Sequence, residues 1–181
     1  MQKGKRIFIR RLVSSIYSVD FKGKKVENIE LNGELFANNF TGSIVCIDTN
    51  FDIDFNGLID FNEEEPIYNF EAMVNNINLS ELQIYKPDSN VKISGQINAD
   101  MVGKTLDSLY GKITMQQAQF VQCDSIYDIP DFNLNIEQKE NKNKQILFHS
   151  DIIEIALDGN FQYKNIVPTC IHLMHKYLPS L

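Results

Sequence analysis

Hydrophobic and polar residues alternate along most of this chain. Between Phe51 and Phe61 every odd-numbered position is apolar or glycine, and every even-numbered position except Leu58 is Asp or Asn. Successive side chains of a β-strand point to opposite faces, so this period of two predicts a strand with one apolar and one polar face. The pattern recurs at 68–74, 91–99, 109–115, 132–136 and 153–161.

These strands favour a mainly β fold. We expect a sheet of antiparallel-type strands with one apolar face, which leaves an open groove because the chain has too few helical segments to cover it. The 12 Phe and 7 Tyr residues, with no Trp, fit half-buried strands better than a helical bundle. Turn signals separate the strands at Asn32-Gly33, at Asn38-Asn39, at 63–66, at 87–90 and at 138–145.

The apolar residues of the predicted strands are expected to line the groove. They are Phe51, Ile53, Phe55, Ile59, Phe61, Phe70, Val74, Ile93, Ile97, Ile113, Leu134, Ile155, Leu157 and Phe161.

Helical signals are few. Leucines three or four residues apart at 78–82 and 105–109 predict single helical turns that plug an end of the sheet. Apolar residues repeat at helical spacing from Val167 to Leu178, and Pro179 stops the pattern, which predicts an amphipathic helix. The predicted division is a β-groove segment over 1–166 and a C-terminal amphipathic helix over 167–181.

The net charge of −7 is unevenly distributed. Eight of the 17 basic residues lie within residues 1–25, beside a single acid, Asp20. The acidic remainder argues against nucleic acid as a partner, because phosphate contacts need a basic surface. Arg10 and Arg11 interrupt the only candidate signal peptide, and no run reaches the roughly 18 apolar residues of a membrane span. Because the sequence shows neither a targeting signal nor a membrane anchor, we expect this chain to be a piece of a longer protein.

Residues 52–63 satisfy the calcium-loop pattern D-x-[DN]-x-[DN]-G-x5-E. That loop normally lies between two helices, whereas here the strand-like alternation runs through it and Pro66 falls where the exit helix would be. A strand with a solvated row of Asp52, Asp54 and Asp60 is therefore preferred. A calcium-binding module through Asp52–Glu63 is kept as an alternative.

No constellation points to an enzyme. Cys46, Cys123 and Cys170 match neither a zinc pattern nor a disulfide framework, and His172 and His175 are too few ligands for zinc. A phosphate loop, a dinucleotide fingerprint and a nucleophile elbow are all missing from the sequence. We therefore expect no catalytic residue, no metal and no cofactor.

Several segments, taken in order, resemble a known family. They are YSVDFKGKKVENIELNGELFANNFTGSI (17–44), DTNFDIDFNGLIDFNEEEPIYNFEAMVNNINLSEL (48–82), ISGQINADMVGKTLDSLYGKI (93–113) and SDIIEIALDGNFQYKNIVPTCIHLMHKYLPSL (150–181). Together they are similar to the repeat region of TamB (translocation and assembly module) proteins of Bacteroidetes-type bacteria, within the AsmA-like superfamily.

The resemblance implies a non-enzymatic segment of a protein that spans the periplasm. It implies a long antiparallel-type sheet curled into an apolar groove (a β-taco) for phospholipid acyl chains. The implied role is in phospholipid transport and outer-membrane biogenesis. The full-length protein would be anchored in the inner membrane and would meet a BamA-like barrel through parts outside this chain. An ordinary β-sandwich or jelly-roll binding module shows the same alternation and stays open as the alternative.

Overall fold

In a computed structural model, the described residues are 9–21, 23–61, 64–82, 90–123, 125–140, 143–163 and 165. They form eleven strands and almost no helix, which confirms the prediction of a mainly β fold. The strands are β1 (Ile9–Phe21), β2 (Lys24–Phe36), β3 (Asn39–Ile47), β4 (Phe51–Asp60), β5 (Ile67–Asn78), β6 (Val91–Val102), β7 (Tyr110–Gln122), β8 (Ser125–Ile129), β9 (Phe132–Gln138), β10 (Lys144–Ser150) and β11 (Glu154–Gly159).

All eleven strands belong to one antiparallel sheet that is not closed. From β1 to β7 each strand pairs with the next one in sequence, and the order continues through β9, β10 and β11. Strand β7 has two partners along one edge, because residues 111–115 pair with β9 and residues 118–122 pair with β8. The connections are short, as expected when consecutive strands are neighbours.

Register irregularities interrupt the sheet near one end of the strands. The pairing shifts between Val74 and Ile77 in β5, and between Ser94 and Gln96 in β6. At the second position Gln117 of β7 has a φ of +50°, and its N–H donates to Asp131 Oδ1 at 2.8 Å. Bulges of this kind bend a strand and increase its twist. The extra residues also keep apolar side chains on one side of the sheet.

Two clusters of packed buried side chains lie at opposite ends of the strands. The first end cluster consists of Val26, Cys46 and Leu82, with partly buried Ile53 and Ile77 against it. The second end cluster is built on three other buried side chains and a set of partly buried ones. Its members are Met101, Ile136 and Ile146, then Tyr68, Ala99, Leu109, Tyr110, Ile113, Leu134, Leu157, Phe161 and Tyr163.

The segments predicted as helical turns lie next to these clusters. Residues 79–82 form a turn in which Leu82 N–H donates to Asn78 O at 3.1 Å, and Leu106–Ser108 forms a 3-10 turn. The helix predicted over 167–181 lies outside the described residues. Within the described residues, no helix is long and apolar enough to cross a membrane.

One turn prediction is wrong. Asn32 and Gly33 lie in the middle of β2, paired with β1 on one side and β3 on the other. An Asn-Gly pair favours a turn because both residues tolerate a positive φ, but neither has one here. The glycine instead allows two strands to approach closely, as the geometry of the site shows.

Candidate functional site

Strand register collects the apolar side chains on one side of the sheet. Ile53 of β4 is paired with Cys46 of β3 and Val74 of β5, and Phe55 is paired with Ile44 and Ala72. The same cross-strand rows continue outward to β1 in one direction and to β11 in the other. We call this side of the sheet the apolar face.

Most of the predicted lining residues share the apolar face. They are Phe51, Ile53, Phe55, Ile59, Phe70, Val74, Ile93, Ile97, Ile113, Leu134, Ile155 and Leu157. The other two lie beyond strand ends. Phe61 follows β4 and is 55% exposed, whereas Phe161 follows β11 and packs against the second end cluster.

The prediction omitted further residues of this face, mainly on β1 to β3 and on β7, β9 and β10. They are Leu12, Leu31, Leu35, Phe40, Ile44, Cys46, Met115, Phe132, Ile136, Ile146 and Phe148. A signal was available in β2, because Leu31, Gly33 and Leu35 alternate just as Phe55, Gly57 and Ile59 do. Taking Asn32-Gly33 as a turn concealed it.

Side chains at the centre of the apolar face are buried. Phe55 is 8% exposed and Ala72 is 3% exposed, although the described residues supply no second sheet above them. The Phe55 ring lies 5.1 Å from the ring of Phe70, centroid to centroid, and the rings of Phe132 and Phe148 are 5.2 Å apart. Such tilted aromatic pairs add about 0.5–1.5 kcal/mol each beyond their burial.

Three glycines form a row across the apolar face, with Gly33, Gly42 and Gly57 on three neighbouring strands. A Cβ added to Gly42 would lie 2.3 Å from Asn32 O and 2.4 Å from Gly33 Cα, and one added to Gly57 would lie 2.5 Å from Phe70 Cα. All these separations are too short for a real side chain. Since φ is not positive at the three glycines, they are needed for space and not for backbone conformation.

The opposite face of the sheet is polar over its centre. Asp52, Asp54 and Asn56 of the calcium-like pattern lie on strand β4 and project to this face. Alternate residues of a strand are about 6.8 Å apart, so these side chains stand in a line and do not wrap around one ion. A depression of about 500 Å³ on this face is lined by Asn, Asp, Glu and Lys side chains, among them Glu71 and Lys112.

The two described cysteines are not paired in a disulfide. Cys46 is buried in the first end cluster, and Cys123 is exposed in the turn between β7 and β8. Burial, reinforced by the carboxylates of Asp48 and Asp52, raises the pKa of the Cys46 thiol. A raised pKa keeps the thiol protonated and makes it a poor nucleophile. Cys46 is therefore part of the apolar packing.

Comparisons of the chain with known proteins found no relative. No protein-family model, no curated protein and no solved structure matches the chain. A functional assignment therefore depends on the register, burial and charge of the chain's own residues.

Proposed function

We propose that this chain is a non-enzymatic segment of a TamB-like or AsmA-like envelope protein, whose apolar face shields phospholipid acyl chains from water. The observation that carries the proposal is the continuity of the apolar face from β1 to β11. A globular sheet protein normally covers such a face with a second layer. The described residues offer only small clusters at the two strand ends.

The glycine row and the bulges support a bent sheet. Cβ positions on Gly42 and Gly33 converge on the neighbouring strand, which is the arrangement expected where a sheet curves toward that face. Burial of Phe55 and Ala72 without a covering layer fits the same curvature. A sheet curved in this way is a groove with an apolar floor, and the groove is the proposed lipid site.

The dimensions suit acyl chains. The path from β1 to β11 crosses ten strands, and at about 4.8 Å per step it extends roughly 45 Å along the groove. Apolar surface gains about 25 cal/mol per Å² when removed from water, so an acyl chain and the apolar face stabilise each other. In this proposal the segment works in the periplasm, and the contact with a BamA-like outer-membrane barrel belongs to other parts of the protein.

Photo-crosslinking tests the proposal. Benzoylphenylalanine placed at Ile97 reports on the apolar face, and the same group at Asn98 is a matched control, because the two neighbours are both half-buried and face opposite sides. After irradiation with vesicles of phosphatidylethanolamine and phosphatidylglycerol, mass spectrometry should find a lipid adduct at Ile97 and none at Asn98. Equal adducts, or intramolecular crosslinks alone, would contradict the proposal, and intramolecular crosslinks would favour a sandwich.

A further inference from the structure

A cavity of about 360 Å³ lies on the apolar face beside the second end cluster. Phe70, Met101, Leu109 and Ile113 contribute to its apolar lining, and the exposed Lys104 is also part of it. Small-molecule sites occupy about 300–1,000 Å³, so this cavity can take one acyl segment but not a whole diacyl lipid.

One wall of the cavity is the connection between β6 and β7, residues 103–109, which we call the end wall. Gly103 has a φ of +138°, and a Cβ there would lie 2.5 Å from Ser108 O and 2.8 Å from Leu109 Cα. Glycine therefore allows the connection to fold back over the strand end. Gly103 N–H also donates to Pro66 O at 2.9 Å, and Thr105 N–H donates to Ser108 Oγ at 2.8 Å.

Hydrogen bonds also connect the end wall to residues that lie later in the chain. The Gln138 side-chain amide donates to Ser108 O at 2.8 Å. The Tyr163 hydroxyl donates to Leu109 O at 2.9 Å, and Tyr163 N–H donates to Asp107 Oδ1 at 2.7 Å. These bonds hold the wall in place without a ligand, and a preorganised site loses less entropy on binding.

Lys104 carries a charge that no described residue neutralises. It makes no hydrogen bond or ion pair within the described residues, although it lines the cavity. Two other lysines at this end of the strands are engaged, since Lys139 pairs with Asp158 and Lys144 lies 4.3 Å from the centroid of the Tyr163 ring. A third, Lys112, lies on the polar face and does not line the cavity. An apolar cavity with one uncompensated cation complements a molecule with an apolar tail and an anionic head.

We propose that this cavity binds one acyl segment of an amphiphile whose head is anionic and is placed at Lys104. The inference rests on the proposed function and adds a fixed position and a head-group charge to it.

The test compares two amphiphiles with the same acyl chain, lysophosphatidylglycerol with one negative charge and monoacylglycerol with none. Each displaces an uncharged fluorescent alkyl probe from the full chain, below its micelle concentration. We expect tighter binding of the anionic amphiphile. Lys104→Ala should weaken its binding by about two- to fivefold, the range of an exposed ion pair, and Lys104→Glu should weaken it further. Neither variant should change binding of the neutral amphiphile.

Lys112→Ala is the matched control, because Lys112 is also exposed but lies on the polar face. It should leave binding of both amphiphiles unchanged. If both amphiphiles bind and the Lys104 variants keep the anionic preference, this inference is wrong while the proposed function stands. If neither amphiphile displaces the probe from the wild-type chain, the proposed function itself fails.

Discussion

The glycine row can be tested with a single methyl group. In Gly42→Ala the new Cβ would lie 2.3 Å from Asn32 O and 2.4 Å from Gly33 Cα, whereas ordinary contact begins at 3.4 Å. Both neighbours are backbone atoms of β2, so a change of side-chain rotamer cannot relieve the clash. Strands β2 and β3 would have to separate by about 1 Å, which weakens their hydrogen bonds.

The change in the free energy of unfolding in Gly42→Ala is the balance of two opposing effects. Replacing glycine by alanine reduces the freedom of the unfolded chain and stabilises a compatible site by about 0.4–1 kcal/mol. Overpacking costs about 1–3 kcal/mol, and a weakened backbone hydrogen bond costs about 1 kcal/mol more. The net loss should be about 2 kcal/mol, which for a chain of this size lowers Tm by about 4–8 °C.

Urea and thermal unfolding measure this loss. Ser43→Ala is the matched control, because Ser43 is the next residue and belongs to the polar face, where it pairs with Asn32 and Asn56. That change should alter stability by less than about 0.5 kcal/mol. Gly33→Ala combined with Gly42→Ala should cost less than the sum of the single changes, because separating β2 from β3 once makes room for both methyl groups. A Gly42→Ala protein as stable as wild type would refute the close approach of the strands.

Two other predictions concern the faces of the sheet and the buried thiol. Phe55→Asp should destabilise the protein by at least about 3–5 kcal/mol in urea unfolding, whereas Asn56→Asp on the polar face should change stability by less than about 0.5 kcal/mol; equal losses would contradict the strand register. Iodoacetamide should alkylate Cys46 more slowly than Cys123 at pH 8, as read by mass spectrometry, because burial raises the pKa of the Cys46 thiol. The raised folded-state pKa also means that the protein should lose stability as pH rises through the alkaline range in which free thiols ionise, since the unfolded thiol ionises first. Comparable alkylation rates would show that Cys46 is accessible.

The sequence alone determined six of the eleven strands and the two faces of each. Alternation from Phe51 to Phe61 predicted β4 and its apolar side, and the observed strand is Phe51–Asp60. It also outweighed the calcium-like pattern, whose Asp52 and Asp54 lie on that strand. Period two is a local property, because side-chain direction depends only on the backbone of the same strand. This is why local patterning was sufficient for a mainly β fold and for the face on which most of the predicted residues lie.

Only the tertiary structure decided which rows meet and where neighbouring strands approach closely. Gly33, Gly42 and Gly57 are far apart in sequence, and nothing local shows that register places them side by side. The same holds for Lys104 and the cavity beside Ile113, which come together because the end wall folds back at Gly103. Register and backbone approach depend on pairing between distant segments, so they cannot be read from the periodicity of any one strand.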